Sequence, residues 1–426
     1  MKILHTSDWH LGQSFFTKSR KAEHQAFLNW LLEQVRVEEI DAVIVAGDIF
    51  DTGTPPSYAR EMYNRFIVAI SQCRCTLVVL GGNHDSVSTL NESKQLVACL
   101  NTYVVASVQA LAHRHSQELG TQSQAQAHDQ IIELNDRHGN TGAIVCAIPF
   151  IRPRDVLQSS AGESGLEKRQ ALGEAIKQHY HQLYQAALAL KTAKQLDVPV
   201  IATGHLTALG VSQSDSVRDI YIGSLDGFAA DGFPPADYIA LGHIHRPQRV
   251  AKTEHIRYSG SPIPLSFDEL KTTKQVLMVE FAAAKTVAIT PLEVPVFQAL
   301  AVIKGDLVAI EAALKTYAHV PPTEPVWLCI EVEGQDYLAD LPQRIQVLTD
   351  GLAVEVLQLR RARNTARQGL TQQVRETLAE LTPADVFAKR LALETFDGET
   401  EQARRTRIEA QFRQILAEIE HPEHTS

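Results

Sequence analysis

The stretch Gly47–Asp51 (GDIFD) follows an apolar run, Ala42–Ala46 (AVIVA). The run is rich in β-branched residues and predicts a buried strand, which Gly47 ends. Asp48 would then lie at the carboxyl end of a central strand, where open α/β sheets bind their ligands. A buried carboxylate is costly unless it is paired, and a metal ion would pair with it. By itself this pattern is weak evidence, because a capping aspartate at a turn produces it too.

The same pattern, an apolar strand followed by a polar cluster, occurs twice more in the first hundred residues. Residues 1–7 predict a strand that is followed by Asp8 and His10, and Thr76–Leu80 predicts another ahead of Asn83-His84-Asp85. Amphipathic helices are predicted between these strands, over Lys18–Glu39 and Ser57–Ser71. The alternation is the βαβαβ pattern of a layered α/β domain.

Two later strands also end in histidines. Val198–Thr203 precedes His205, and Asp237–Leu241 precedes His243 and His245. Together with the earlier clusters this makes seven candidate ligands: Asp8, His10, Asp48, Asn83, His205, His243 and His245. A single histidine or aspartate is more often a cap or a hydrogen-bonded side chain, but seven at strand ends are hard to explain that way. Oxygen and nitrogen ligands in this number suit two divalent ions, completed by water.

Composition limits the class of protein. The chain has 426 residues, enough for two or three domains, with 44% apolar and 21% charged residues, as in soluble globular proteins. No apolar run reaches the length of a membrane span, and Met1 leads directly into a predicted strand instead of a signal peptide. The five cysteines are scattered, which indicates reduced thiols in a cytoplasmic protein. The net charge of −10 gives no support to nucleic-acid binding, so any such binding needs local basic patches, metals or a partner.

A domain boundary is predicted near Leu292–Pro295. Beyond it a β-α-β-α-β pattern runs from about Phe297 to Leu359, and two helices are predicted over Thr382–His421. We therefore expect three parts, residues 1–292, 293–378 and 379–426. Residues 107–140 are predicted to form a surface excursion, because much of the segment is rich in Gln, Ser and Ala.

The polar clusters, read in order, resemble a known family. Asp-x-His, Gly-Asp-x-x-Asp, Gly-Asn-His-Asp, Gly-His and Gly-His-x-His resemble the motifs of the calcineurin-like metallophosphoesterases. Tyr221–Asp226 and Tyr258–Glu269 resemble signatures of the SbcD nuclease subunits within that superfamily. The resemblance covers about residues 1–285 strongly and the remainder in layout only. It implies a layered α/β fold, a β-sandwich flanked by helices, with a small α/β capping domain and C-terminal helices.

The resemblance also implies roles for individual residues. Asp8, His10 and His245 would hold one metal ion, and Asn83, His205 and His243 the other, with Asp48 bridging them. His84 would act as the general acid, oriented by Asp51 or Asp85. The family implies Mn²⁺, although these ligand types also suit Mg²⁺, Fe²⁺ or Zn²⁺.

The implied function is a metal-dependent DNA nuclease, an exonuclease on double strands and an endonuclease on single strands and hairpins, in repair, recombination and replication. The family implies an ATPase partner, SbcC, in a heterotetramer of two copies of each subunit, ATP dependence through that partner, self-association as a homodimer and no membrane. A basic cluster fits a solvated surface and DNA contact equally well, and the residues that would contact DNA are Arg360, Arg361, Arg363 and Arg367. The apolar stripe of the C-terminal helices fits packing on their own domain, whereas the resemblance implies that Val386, Phe387, Phe412 and Ile415 contact the partner.

Two other interpretations remain open. A phosphatase or cyclic-nucleotide phosphodiesterase of the same fold would hydrolyse small phosphoesters but not DNA. A scaffold that binds DNA ends with a decayed site would hydrolyse neither. The complete set of seven ligands argues against decay, because drift tends to remove a ligand first.

Overall fold

The structure is a computed structural model. It describes residues 1–108, 128–157, 165–218, 220, 227–333, 340–361, 407–408 and 411–412. The chain forms two compact units, Met1–Ala362 and Arg363–Ser426, and every element named below belongs to the first. The predicted boundary at residue 378 lies outside the described residues.

Seventeen strands lie in the described part of the chain. Their bounds are β1 Lys2–Thr6, β2 Ser14–Phe15, β3 Lys18–Ser19, β4 Ala42–Val45, β5 Thr76–Leu80, β6 Thr102–Val105, β7 Ile131–Asn135, β8 Thr141–Cys146, β9 Val200–His205, β10 Tyr238–Gly242, β11 Gln248–Arg249, β12 Ile256–Tyr258, β13 Gln275–Ala282, β14 Lys285–Glu293, β15 Leu300–Gly305, β16 Val326–Val332 and β17 Val354–Arg361. The helices are α1 Lys21–Val37, α2 Ser57–Gln72, α3 Val87–Asn91, α4 Lys94–Ala98, α5 Pro153–Val156, α6 Gly165–Ala193, α7 Leu307–Leu314 and α8 Leu341–Thr349. Short 3₁₀ turns cover His128–Gln130, Ala230–Gly232, Phe267–Lys271 and Lys315–His319.

Two six-stranded sheets lie face to face. The first has the order β14-β13-β1-β4-β5-β6 and the second β11-β12-β10-β9-β8-β7. Side chains alternate across each strand, so in β4 Val43 and Val45 pack with α1 and α2 whereas Ala42 and Ile44 pack against the second sheet. Helix α6 covers the outer face of the second sheet. The result is a helix–sheet–sheet–helix sandwich, which confirms the predicted fold class.

The carboxyl ends of the parallel strands meet at one edge of the sandwich. Strands β1, β4 and β5 run parallel in the first sheet, and β8, β9 and β10 run parallel in the second. Gly242 permits the close approach of the two edges, because a Cβ there would overlap the carbonyl oxygen of Ala46. The seven candidate ligands therefore come from two sheets rather than one.

The excursion predicted over residues 107–140 is wrong in its last part. Strand β7 pairs antiparallel with β8 at the edge of the second sheet, with Ile132 and Leu134 buried. These two residues alternate with Ile131, Glu133 and Asn135, which is a period-two signal that the preceding Gln-rich stretch obscured. Residues 109–127 lie outside the described part of the chain.

The elements from Leu300 to Arg361, which belong to the same compact unit as the sandwich, have the predicted β-α-β-α-β order, with a parallel sheet β15-β16-β17. The second helix of this segment is described over Leu341–Thr349, and Tyr337, its predicted start, lies outside the described residues. The segment packs on the sandwich through Trp327, whose ring stacks on Phe15 at 6.0 Å between centroids. A salt bridge of 2.6 Å joins Lys18 and Glu355 across the same junction.

All five cysteines are free thiols. Among the described helices, none is both long and apolar enough to cross a membrane.

A buried histidine makes stability depend on pH. His179 lies on α6, and burial lowers its pKa from 6.5 to about 4. The unfolded chain takes up this proton near pH 6.5 but the folded protein does not, so the contribution to stability is present above pH 6.5 and is lost as pH falls toward 4. In His179→Gln this proton uptake is absent. As the pH falls through this window, we expect the free energy of unfolding of the variant, relative to that of the wild type, to rise by about 1.4 kcal/mol per pH unit. Urea unfolding of both proteins across that pH window, with a chelator present, measures the difference in their free energies of unfolding. A difference that does not change with pH would contradict the prediction.

Candidate metal centre

The loops that follow β1 and β4 run side by side. The main-chain N–H of Asp8 donates to Gly47 O at 3.0 Å, and that of His10 donates to Asp48 O at 3.0 Å. Asp8, His10, Asp48 and His243 all have positive φ, at 55°, 46°, 51° and 94°. For residues other than glycine this conformation is strained, and such strain is concentrated at functional sites. The strain therefore falls on four of the predicted ligands.

The first group of ligand atoms comes from Asp8, His10 and His245, which are buried and lie within 4.8 Å of one another. The carboxylate of Asp8 is held in place by the Ser7 hydroxyl at 2.5 Å and by the main-chain N–H of His243 at 3.0 Å. The last bond crosses between the two sheets, so the sandwich itself sets the position of this carboxylate.

The second group contains Asp48, His205 and His243, also within 4.8 Å. The side-chain oxygen of Asn83 lies 2.9 Å from His205 Nε2 and 3.1 Å from His243 Nδ1. Asp48 Oδ2 lies 3.3 Å from His205 Nε2 and 3.6 Å from His10 Nε2, so one carboxylate faces both groups. All seven side chains predicted as ligands converge here.

The donor set fits metal ions. Among the described residues, His10 Nε2 and His243 Nε2 are buried without any hydrogen-bond partner. His10 Nδ1 contacts Asp51 Oδ1 at 3.1 Å and His205 Nδ1 contacts Ala46 O at 2.9 Å, which leaves the Nε2 atoms facing the centre. Although burial raises the pKa of Asp48, the imidazoles of His205 and His10 hold it well below its usual range. Although burial lowers the pKa of His205, Asp48 raises it to about 9, so the imidazolium ring supplies positive charge that a bound divalent cation would supply instead.

His84 lies beside both groups. Its ring centroid is 4.8 Å from that of His10, its main-chain N–H donates to Asp48 Oδ1 at 2.9 Å, and its Nδ1 lies 2.7 Å from Asp51 O. Because a carbonyl oxygen only accepts, Nδ1 carries a proton and Nε2 is the atom left for chemistry. Burial lowers the pKa of His84. His84 also lies within 4.8 Å of ligand atoms of His10 and Asp48, so distance alone does not separate it from the ligands.

Asp51 and Asp85 are predicted as alternatives for orienting His84, and Asp85 instead binds main-chain groups of neighbouring loops. Its carboxylate accepts the main-chain N–H groups of Ile49, Phe50 and Gly82 at 3.1, 2.9 and 2.8 Å, so it ties two ligand loops together. Asp51 orients His84 through its main-chain carbonyl, while its carboxylate contacts His10. The motif places both aspartates correctly, but only the folded loops decide which atom each one uses.

The sequence interpretation missed the support of His245. Its Nδ1 lies 2.6 Å from Ser216 Oγ and 3.4 Å from Glu269 Oε1. Glu269 is fully buried and forms a 2.5 Å ion pair with Lys274. Although burial raises the pKa of Glu269, Lys274 and His245 hold it well below its usual range. Glu269 ends the signature Tyr258–Glu269, which was the available signal, but Ser216 lies in no recognised motif.

Ser216→Ala should weaken metal binding by roughly 10-fold or more, because loss of a group that orients a histidine ligand typically costs 10- to 100-fold. The buried pair of Glu269 and Lys274 remains intact, so the melting temperature of the metal-free protein should change little. Calorimetric titration with Mn²⁺ measures the affinity. Ser212→Ala is the matched control, since its hydroxyl accepts from Arg246 at 3.3 Å. Equal affinities in both variants would contradict the role of Ser216.

The basic cluster is described only in part. Arg360 Nε donates to Glu331 Oε1 at 2.7 Å, so part of its charge is already neutralised, and Arg361 is exposed. Phe412 is half-buried in a helical segment. Other residues singled out in the sequence lie outside the described residues: Tyr221–Asp226, Arg363, Arg367, Val386, Phe387 and Ile415.

Comparison with known proteins places the chain in a family. Residues 1–247 match the family described as calcineurin-like phosphoesterase, and residues 296–395 match the type 5 capsule protein repressor C-terminal domain. The chain is 54% identical to the D subunit of nuclease SbcCD from Escherichia coli K12, over 94% of this chain and 95% of that protein. It is 31% identical to the protein of the same name from Rhodobacter capsulatus, over 91% of this chain and 94% of that protein.

A solved dimetal phosphatase from Danio rerio is 12% identical, with a TM-score of 0.32 over 69% of this chain and 99% of that one. The family matches and the relatives decide the assignment. The chain is a hydrolase of the calcineurin-like phosphoesterase family and belongs, within it, to the SbcD subunits.

Proposed function

We propose that the protein is a two-metal phosphodiesterase that cleaves DNA. The observation that carries the proposal is the double ligand group in which the carboxylate of Asp48 faces both His10 and His205, with His84 beside it. The relatives that share its length are named as nuclease subunits, which supports DNA over a small phosphoester as the substrate.

Each group has a distinct part in the reaction. Two divalent ions, when bound, activate a water and screen the negative charge that develops on the phosphate. Asp51 O holds the proton on His84 Nδ1, so the ring presents Nε2 to the substrate. In the imidazolium form Nε2–H donates its proton to the leaving oxygen, and the pKa that burial lowers makes this ring the stronger acid. Asp85 keeps the loops of Asp48 and His84 in register through its three main-chain bonds.

We extend the proposal to the details that the family implies. The ions are Mn²⁺, the protein is cytoplasmic, and it works with the ATPase subunit SbcC in a complex of two copies of each. Exonuclease action on double strands depends on ATP through SbcC, and hairpins and single strands are cut endonucleolytically. The word "SbcCD" in the names of the relatives supports a second subunit.

Helices α2, α3 and α4 form the proposed homodimer face. Val68 and Leu96 are 46% and 71% exposed, and with Arg60, Glu61 and Glu92 they line one cleft of about 860 Å³. Apolar side chains exposed around a polar-rimmed cleft are typical of a protein–protein contact.

A nuclease assay with Mn²⁺ tests the function. Blunt, hairpin and single-stranded DNA are supplied with and without SbcC and ATP, alongside bis(p-nitrophenyl) phosphate and a cyclic nucleotide. Mn²⁺-dependent cleavage of DNA supports the proposal. Turnover of the small esters without any cleavage of DNA would favour the small-molecule phosphodiesterase, and loss of all turnover would favour the scaffold.

Removal of Thr382–Ser426 tests partner binding. The metal centre lies within residues 1–245, so we expect unchanged hydrolysis of bis(p-nitrophenyl) phosphate but no co-purification with SbcC. If Phe412 and its neighbours instead complete the core of this chain, the truncated protein will melt at a lower temperature or aggregate while its folded fraction still binds SbcC.

A further inference from the structure

The segment that follows β8 crosses from the second sheet to the rim of the metal centre. The main-chain N–H of Ile148 donates to Thr203 Oγ1 at 2.7 Å, and that of Phe150 donates to Gly81 O at 2.8 Å. Each of these two acceptors lies two residues before a predicted metal ligand. The main chain that carries the next polar side chain, Arg152, is therefore fixed relative to the centre.

The guanidinium of Arg152 lies against the loop that carries His84. Its Nη2 makes a long contact of 3.4 Å with Asp85 O, and its Cζ lies 5.4 Å from the centroid of the Phe150 ring. That ring in turn lies 6.3 Å from the ring of His205. Arg152 is thus placed next to the general acid and on the side of the second ligand group.

Arg152 lacks a counter-charge among the described residues. Its Nη1 is buried without a hydrogen-bond partner, and no carboxylate in the described part of the chain lies within salt-bridge distance of the guanidinium. The acid nearest in sequence, Asp155, accepts from the main-chain N–H of Arg152 at 3.2 Å and lies 3.9 Å from Arg154 Nε. A buried donor without an acceptor is unfavourable, so an acceptor supplied by a ligand would be bound tightly.

Phosphate is the acceptor that fits. The planar fork of arginine matches two phosphate oxygens, and its charge cannot be lost at any ordinary pH. The whole chain has a net charge of −10, so a polyanionic strand needs local cations beyond the centre itself to approach. Arg218 adds to this local field, since its charge acts on both Asp51 and His84.

We propose that Arg152 binds the phosphate that flanks the cleaved one in the substrate strand. The inference rests on the function proposed above and names a subsite of it. No described contact joins the guanidinium to a predicted metal ligand, and its single described acceptor is the carbonyl of Asp85. The ligand groups receive the phosphate that is cleaved, and Arg152 holds its neighbour.

Substrate length provides the test. In the full chain with Mn²⁺, Arg152→Gln should lower kcat/KM for a labelled single-stranded oligonucleotide by roughly 10- to 100-fold, as expected for loss of a bond to a charged group. The slope of log(kcat/KM) against log[salt] should become shallower by about 0.7, the value for one contact to a single strand. Hydrolysis of bis(p-nitrophenyl) phosphate, which has a single phosphate, should stay within twofold of wild type. Arg152→Lys should recover the salt slope more fully than the rate.

Arg154→Gln is the matched control, because Arg154 is two residues away, carries the same charge and has a side chain 80% exposed. This variant should leave kcat/KM for both substrates, and its dependence on salt, nearly unchanged. Three results would overturn the inference while leaving the nuclease function intact. They are an equal fall in kcat/KM for both substrates in Arg152→Gln, no fall for either substrate, or the same change in Arg154→Gln. Wild-type protein that hydrolyses the diester but not the oligonucleotide would overturn the proposed function, and this subsite with it.

Discussion

Replacing His84 with glutamine is expected to leave both metal ions bound and to lower the rate of DNA cleavage by roughly 10²- to 10⁴-fold, the usual contribution of a general acid. Glutamine is close in size to histidine and can still donate to Asp51 O, the atom that holds His84 Nδ1 at 2.7 Å. It has no proton that it can transfer to the leaving oxygen at neutral pH. The loss should therefore appear in kcat, with the affinity for substrate nearly unchanged.

Metal content decides between this role and direct ligation, because His84 lies within 4.8 Å of ligand atoms of His10 and Asp48. Two ions per chain in His84→Gln, with turnover lost, supports the general acid. Loss of an ion together with activity would make His84 a ligand. A further readout is the leaving group: bis(p-nitrophenyl) phosphate releases a much weaker base than a sugar oxygen, so the variant should lose less activity on it than on DNA.

Replacing Asp48 with asparagine is expected to abolish cleavage and to reduce the bound metal more than any other single ligand change. Its Oδ2 faces His10 Nε2 at 3.6 Å and His205 Nε2 at 3.3 Å, so this carboxylate is the one that contacts both groups. An amide keeps the shape but removes the negative charge, and one of its two positions becomes a donor that points at a cation. Both ions should be weakened together.

The measurement for Asp48→Asn is metal per chain by elemental analysis, with cleavage assayed in parallel. His245→Gln is the comparison, because His245 belongs to the first group alone. That variant should keep the second ion, whereas Asp48→Asn should lose or weaken both. Two ions retained with full activity in Asp48→Asn would show that Asp48 is not a bridging ligand.

Much of the candidate site follows from local pattern. A β-branched run that ends in Gly-Asp predicts a strand with a polar residue just after it. The structure has this arrangement at β1, β4, β5, β9 and β10. Since carboxyl ends of parallel strands share an edge, the seven ligands could be grouped from the sequence alone. The small α/β sheet with its helices could be predicted in the same way, because its apolar periods are regular. Asp306 caps its first helix, Leu307–Leu314, by accepting from the main-chain N–H of Ala309 at 2.8 Å.

The residues that escaped prediction act through contacts between segments distant in sequence. Ser216 reaches His245 across 29 positions, and Arg152 reaches Asp85 across 67. Neither lies in a periodic or motif-like stretch, so nothing local marks it. Strand β7 was missed for a different reason. The segment before it is polar and suggested a surface loop, whereas the antiparallel pairing with β8 that makes it a strand is seen only in the folded chain.

By itself the sequence determined the kind of chemistry, because the identity of a ligand atom depends only on the residue that carries it. Aspartate, asparagine and histidine at strand ends supply oxygen and nitrogen atoms that suit divalent ions once the strand ends are brought together. The tertiary structure decided which atoms do the work: that the ligands come from two facing sheets, that Asp51 supports His10 by its side chain and His84 by its main chain, and that Asp85 joins loops rather than orienting a ring. Those outcomes depend on distances of a few ångströms between chain segments far apart in sequence, which packing of the two sheets sets and no local pattern encodes.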